Sequence, residues 1–348
     1  MDIFSLLRWM VGWNVSFAFN LDAVDAATHA KIQEKWQNQL STKTPLFLKS
    51  KERGGFHMYD GGDELVFPVV LQNGVAASYY GDDIFDTSRQ GGLQKLTYQV
   101  RQFYSQVRVD GIEEILNSGS AAAADVLDGR FMQSEITTAE NFEEMSFGDG
   151  TGNVGGDGVA RDWNGFQNLI ADDPTTGTIG TLSRTTFPNL RNQAYTTAVT
   201  GFNTAQAGRI ALITLWQDCT RGLRSPNWIV ATGLIWRLYN LSLTANERFE
   251  MQSNPGTLGK AGFKTLQFNG MEFVESEFCP ADHLYMVRWA RPRSDGGIFF
   301  LIHRSRNFKL GPFRIPTDGD YRVAYSLTAG QLGSDGPSLS GVATNITG

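Results

Sequence analysis

The residues best suited by type and spacing to chemistry are Gly150-Thr151-Gly152-Asn153-Val154-Gly155, a literal G-x-G-x-x-G. Such a run cradles a pyrophosphate when a strand precedes it, a helix follows it and an acid lies about 20 residues further on. Here the apolar periodicity puts a helix before the glycines, and Gly155 to Gly158 with Pro174 oppose one after them. No Gly-Lys-Ser/Thr follows, so the run reads as a flexible turn. His29, His57, His283 and His303 are scattered, without the i, i+4 or Cys-x-x-Cys setting of a metal site. Cys219 and Cys279 fit no metal spacing and no disulfide framework, and read as reduced apolar side chains. A G-x-S-x-G elbow is absent. The acidic pairs Asp82/Asp83, Glu113/Glu114, Glu143/Glu144 and Asp172/Asp173 read as solvated faces or turns, while a dyad drawn from distant residues would leave no local trace. No catalytic, cofactor-binding or metal-binding residue is therefore expected.

The element that would carry the glycine run is itself informative. Ile112, Ile115, Leu116, Gly119, Ala122, Ala123, Val126 and Leu127 recur at the spacing of one helix face, and the helical pattern continues to Phe147. A helix over about 111–147 spans about 50 Å at 1.5 Å per residue. Interior Gly119 and Gly129 weaken it by roughly 1 kcal/mol each and are candidate bend points.

A chain of 348 residues with 41% hydrophobic content can bury a substantial core. Its 38 glycines and 23 phenylalanines suggest turns and aromatic strands. The net charge of −6 does not suit a nucleic-acid grip, and Arg288, Arg291, Arg293, Arg304, Arg306 and Lys309 read as solvated strand edges. Residues 1 to about 50 form an aromatic arm with a helix around Asp25 to Leu40. Asp2 before Arg8, and Gly12, Asn14 and Ser16 within the apolar run, do not suit a secretory signal. No run of 18 apolar residues suggests a membrane span. Trp9, Trp13, Phe17 and Phe19 would need a partner surface to cover them.

From Lys49 to Val109 the pattern turns to strand. Glu64 to Leu71 is one strand, with Pro68 favouring an edge. Val75 to Tyr80 is a second extended piece, followed by an acidic loop, Gly81 to Asp86. Leu96 to Val109 reads as one strand of roughly 45 Å, polar and apolar residues mixed so that neither face sits wholly in a core. A long two-stranded projection is marginal alone in water and has exposed edges, which points to a neighbouring subunit. Further on, Thr204 to Leu223 reads as a helix and Trp228 to Ala231 as a short buried strand. Thr232 suits the N-cap of a helix from Gly233 to Asn240, and Asn269-Gly270 marks a hairpin.

In this order the motifs resemble the tailed-phage major capsid proteins of the Hong Kong-97-like fold. The resemblance rests on Phe147-Gly148-Asp149-Gly150-Thr151-Gly152, Trp163-Asn164-Gly165-Phe166, Thr178 to Arg184, Phe187 to Gln193, Thr265 to Val274 and the stretch from Ala329 to Val342. Phe166, Thr181 and Ser183 stand where the family more often has Leu, Gly and Asp. The resemblance implies an α+β fold with an N-arm over residues 1–50 and an extended E-loop β-hairpin over 51–108. It also implies a peripheral domain over 109–160 and 275–325, built on the long spine helix. An axial domain over 161–274 and 326–348 would have a central sheet flanked by helices. Hexamers and pentamers would close into an icosahedral shell around double-stranded DNA, assembled in the host cytoplasm. DNA contact would be weak and non-specific, and no membrane is involved. The partners implied are other copies of the chain, a separate scaffolding protein, a portal and a decoration protein. Within the E-loop, Val75, Tyr79, Tyr80, Asp82, Asp83, Phe85 and Arg89 would be assembly contacts. Two alternatives remain: an encapsulin-like compartment of the same fold, and a β-rich glycan hydrolase.

Overall fold

The computed structural model describes residues 45–347 apart from 63, 89–90, 117–119, 153–158, 204–205, 244–264, 294–295 and 318. Trp9, Trp13, Phe17, Phe19, Arg89 and Gly119 lie outside the described residues.

The chain opens with helix α1 (Pro45–Glu52) and strands β1 (Phe56–Tyr59), β2 (Glu64–Val70), β3 (Leu93–Gln99) and β4 (Arg101–Asp110). Helices α2 (Gly111–Leu116) and α3 (Ser120–Phe147) follow, then α4 (Phe166–Leu169), β5 (Thr178–Ile179), β6 (Leu182–Ser183) and β7 (Gln193–Tyr195). Next come α5 (Ala207–Cys219), β8 (Trp228–Ala231), α6 (Gly233–Ser242), β9 (Thr265–Phe268), β10 (Met271–Glu275) and β11 (Leu284–Val287). The chain closes with β12 (Ile298–His303), β13 (Lys309–Leu310), β14 (Tyr321–Ser334) and β15 (Gly341–Ala343).

A six-stranded sheet, ordered β7-β15-β11-β8-β10-β9, divides two cores. Successive side chains of a strand point to opposite faces. Trp228, Val230, Tyr285 and Val287 accordingly enter one core, with Ile229, Ala231, Leu284 and Met286 in the other. The second core is closed by Ala211, Leu212 and Leu215 of α5 and by Ile235, Leu238 and Tyr239 of α6. Asn269 and Gly270, both at positive φ, make the two-residue turn that joins β9 to β10, as the Asn-Gly pair suggests.

The first core is aromatic and reaches the second sheet. Phe142 of α3 packs edge-on against Phe47 at 5.7 Å and Trp163 at 5.2 Å, and lies 5.1 Å from Phe300 of β12. Trp289 stacks on Phe300 at 5.6 Å. Gly165 permits the chain leaving α3 to return onto it, because a Cβ there would collide with the Gly148 carbonyl.

The five-stranded sheet is organised by β14. Its residues Tyr321 to Gly330 pair in antiparallel register with Asp110 to Arg101 of β4, and Gly330 to Ser334 pair with Ile302 to Ile298 of β12. The segment expected as a single strand from Leu96 to Val109 is two strands, because the chain changes partner at Val100: β3 pairs with β2, β4 with β14. Leu96, Thr97 and Tyr98 are all buried, while Gln99, Gln102, Tyr104, Gln106 and Arg108 are exposed, so neither face of the segment sits wholly in a core. The Tyr98 hydroxyl donates to the Ser334 carbonyl at 2.6 Å and accepts from the Ser334 amide at 3.1 Å, fastening the hairpin base to β14. Strand β11 lies within the six-stranded sheet and β14 within the five-stranded one.

Three local expectations change. Thr232 occupies the N-cap position of α6, yet its hydroxyl makes no cap hydrogen bond and is buried without a partner. Ile112, assigned by periodicity to a packed helix face, is exposed. Glu143, read as solvated, is buried and accepts a hydrogen bond from the Ser276 hydroxyl at 2.9 Å. Burial pushes its carboxyl up to about 7, partly opposed by the Ser276 hydrogen bond and reinforced by nearby Glu277.

Candidate assembly surface

The excursion between β2 and β3 is closed at its neck by the Leu71 amide, which donates to the Gly92 carbonyl at 2.8 Å. Within it, every described residue from Gln72 to Ser88 is exposed. The expected extended piece from Val75 to Tyr80 forms no strand, since no backbone ladder is available to it here. The far end keeps local order nonetheless. Tyr79 and Phe85 meet edge-to-face with ring centroids 5.0 Å apart. The Tyr80 amide donates to Asp83 Oδ2 at 2.8 Å, and the Ser88 amide to Asp86 Oδ1 at 2.9 Å. The Ser88 backbone and side-chain hydrogen bonds hold the Asp86 carboxyl below the usual carboxylate range.

The structure therefore brings Val75, Tyr79, Tyr80, Asp82, Asp83 and Phe85 onto one solvent-exposed excursion. Ile84 joins them at 98% exposure and Tyr80 stands at 91%, while Val70 and Leu93 flank the neck. Fully burying side chains of this size is worth roughly 1.5–3 kcal/mol each. Several of them in water on one projection make it a candidate interaction surface. In sequence Ile84 reads as part of an acidic loop, and its place between Asp83 and Phe85 is the signal that sets it with the aromatic side chains.

A second exposed surface covers the face of β4 and β14 turned away from α3. Tyr104, Tyr325 and Leu327 are exposed there beside Gln102 and Gln106. Tyr104 and Tyr325 pack edge-on at 6.2 Å, and the Arg108 guanidinium lies 4.0 Å above the Tyr321 ring. The opposite face carries Val107 and Ala324, which pack with Phe131 of α3. Sequence reasoning treated this strand as part of the projection and so did not identify its outer face.

Of the G-x-G-x-x-G run, Gly150 to Gly152 are described and Asn153 to Gly155 are not. The Asp149 carboxylate accepts from the Thr151 amide at 2.8 Å and the Thr151 hydroxyl at 2.7 Å, which lowers its pKa. The Gly152 carbonyl accepts the amides of Arg161 and Asp162, so this turn folds back on the segment that follows it. Gly129 lies inside α3. Cys219 and Cys279 are free and buried, and burial raises both thiols. Among the described residues, no group of three His, Cys, Asp or Glu side chains could hold a metal ion, and no helix is long and apolar enough to cross a membrane.

No family model matches the sequence, and no curated protein matches it. Solved structures do. The capsid asymmetric unit of cyanophage A-1(L) superposes with a TM-score of 0.60 at 15% identity, covering 88% of this chain and 94% of that one. The capsid of the native GTA particle gives 0.53 at 11% identity, over 86% and 90%. A virus-like particle from Pyrococcus furiosus gives 0.50 at 8% identity, over 91% and 99%. The chain has the Hong Kong-97-like capsid fold, the α+β architecture expected from the order of its motifs.

Proposed function

We propose that this chain is a major capsid protein. Its copies associate as hexamers and pentamers and close into the icosahedral shell of a tailed phage around double-stranded DNA. The observation that carries this reading is the agreement of nearly the whole chain with the capsid of cyanophage A-1(L). The exposed apolar excursion between β2 and β3 supports it, because such a surface suits a neighbouring copy. In this reading residues 1–50 are the N-arm and Trp9, Trp13, Phe17 and Phe19 are its contacts. The excursion is the E-loop tip, and Gly119 and Gly129 allow the spine helix to bend as the shell matures. A scaffolding protein, a portal and a decoration protein complete the particle. The role is structural rather than catalytic, and the site of action is the virion.

Deleting residues 75–92 tests the reading. The shortened chain should fold, with an unchanged circular dichroism spectrum, and form no shells. Intact shells in negative-stain images of this variant would overturn the role given to the tip. The agreement with the Pyrococcus furiosus virus-like particle favours a second reading, a protein compartment of the same fold. Nuclease-protected DNA in purified particles supports the phage shell; an enclosed protein cargo supports the compartment.

A further inference from the structure

Beside the hairpin base runs a cleft whose lining includes Pro68 to Asn73, the Pro188 to Ala194 segment and the Asp335 to Leu339 loop. Its charged side chains are Arg191, Arg221, Arg224 and Arg293, against the single carboxylate of Asp335. Asp335 is already occupied: it accepts the Arg293 amide at 2.8 Å and the Gly297 amide at 2.9 Å. Arg293 donates to the Val66 carbonyl at 3.0 Å and Arg191 to the Arg184 carbonyl at 3.0 Å. Neither carbonyl brings a countercharge.

Arg221 and Arg224 are presented by a tight turn. Their backbones exchange two hydrogen bonds, 2.8 and 3.1 Å, and Gly222 turns the chain at φ +62°. Leu223 between them is fully exposed, and neither guanidinium is within 4 Å of a carboxylate among the described residues, though Arg224 acts on Asp335 through space. Two arginines bracketing a bare leucine, on the rim of an arginine-lined cleft, suit a ligand that is both acidic and apolar.

The same chain carries such a ligand. The excursion tip sets Asp82, Asp83 and Asp86 among Tyr79, Tyr80, Ile84 and Phe85. These carboxylates have no ion pair among the described residues, and none contacts the arginine cleft. We infer that the acidic-aromatic tip of one copy docks in the arginine cleft of the next, with Asp82 and Asp83 facing Arg221 and Arg224. The two patches differ, so the contact is head-to-tail, and repetition at a fixed rotation closes a ring. Opposite charges steer the encounter and set the register, and the aromatic side chains gain burial. The inference rests on the capsid reading and adds the surface that receives the tip.

Charge reversal tests it on the full-length chain, with light scattering and negative-stain imaging as readouts. Arg221→Glu with Arg224→Glu, and separately Asp82→Lys with Asp83→Lys, should each raise the concentration needed for assembly about tenfold or more, since like charges then face each other. All four substitutions together should recover most of the assembly. The sites are exposed, so each variant should melt as the wild type does; Arg221→Gln with Arg224→Gln should give the same defect, smaller. A cleft-reversed variant that assembles like the wild type overturns the inference. So does a four-fold variant as defective as its parents, the result expected if DNA or another acidic protein fills the cleft. In either case wild-type particles still form. Failure of the wild-type chain to form any particle removes the capsid reading, and the inference with it.

Discussion

The two ends of α3 are held very differently. Its C-terminal end enters the main core: Phe142, Met145 and Phe147 are buried among Phe47, Trp163, Phe166, Tyr285 and Phe300. Further toward the N-terminus, the contact with the five-stranded sheet is thin. Among the described residues, its buried apolar side chains are Val107, Phe131, Leu310 and Ala324. Between Phe131 and Phe142 the helix meets the sheet through hydroxyls, Ser105 and Ser134 lying 2.7 Å apart, and within the helix Thr138 donates back to the Ser134 carbonyl at 2.7 Å. The Arg130–Glu113 ion pair at 2.8 Å ties α2 to α3 and is half-buried. One end is thus complete within the subunit. Among the described side chains, the other is held by these few apolar contacts. Gly129 lies in this part of α3.

Substitutions at the two ends should separate them. Phe142→Ala empties a site touched by aromatic rings on several sides, and should cost about 3–5 kcal/mol in denaturant unfolding. A loss below about 1 kcal/mol would mean that this end is no better fixed than the other. Next in size is Glu143, at the well-packed end. Its folded-state value of about 7 lies above its ordinary 4.5, so the folded chain holds this proton more tightly than the unfolded chain between those values. Stability from this group therefore falls as pH rises from about 4.5 to about 7. Glu143→Gln should flatten that slope and stabilise the protein at pH 8 by on the order of 3 kcal/mol; a wild-type slope retained by the variant would show that the carboxyl reaches solvent. Phe131→Ala should cost less than Phe142→Ala, about 2 kcal/mol, because its site is small and can collapse. Ser134→Ala should change stability by less than about 1 kcal/mol. Equal losses at Phe131 and Phe142 would erase the distinction between the ends.

The legible parts of this molecule were those set by neighbours in sequence. The pattern at Trp228 to Ala231 reads as a buried strand because all four side chains are apolar, and Asn269-Gly270 reads as a hairpin because both residues accept positive φ. The helix to Phe147 is legible from periodicity alone. What escaped depends on partners far along the chain. The break at Val100 is invisible locally, since only the choice of β2 for one side and β14 for the other divides the strand. Glu143 looks like any surface acid until Ser276, 133 residues away, is placed beside it. The arginine cleft gathers Arg191, Arg221, Arg224 and Arg293 from three separate loops, so no window of sequence contains it. The tip was legible as an exposed acidic and aromatic loop because it makes few contacts with the rest of its own subunit.

The registry of β4 on β14 has a mechanical consequence. Ten consecutive residue pairs join them, with hydrogen bonds perpendicular to the strands. The chain passes from the projecting hairpin directly into β4 through Val100. A pull on the tip along this direction loads the bonds of the pair together, in shear, rather than peeling them one after another. Strain applied at the subunit's periphery is thereby carried into the sheet that holds its core.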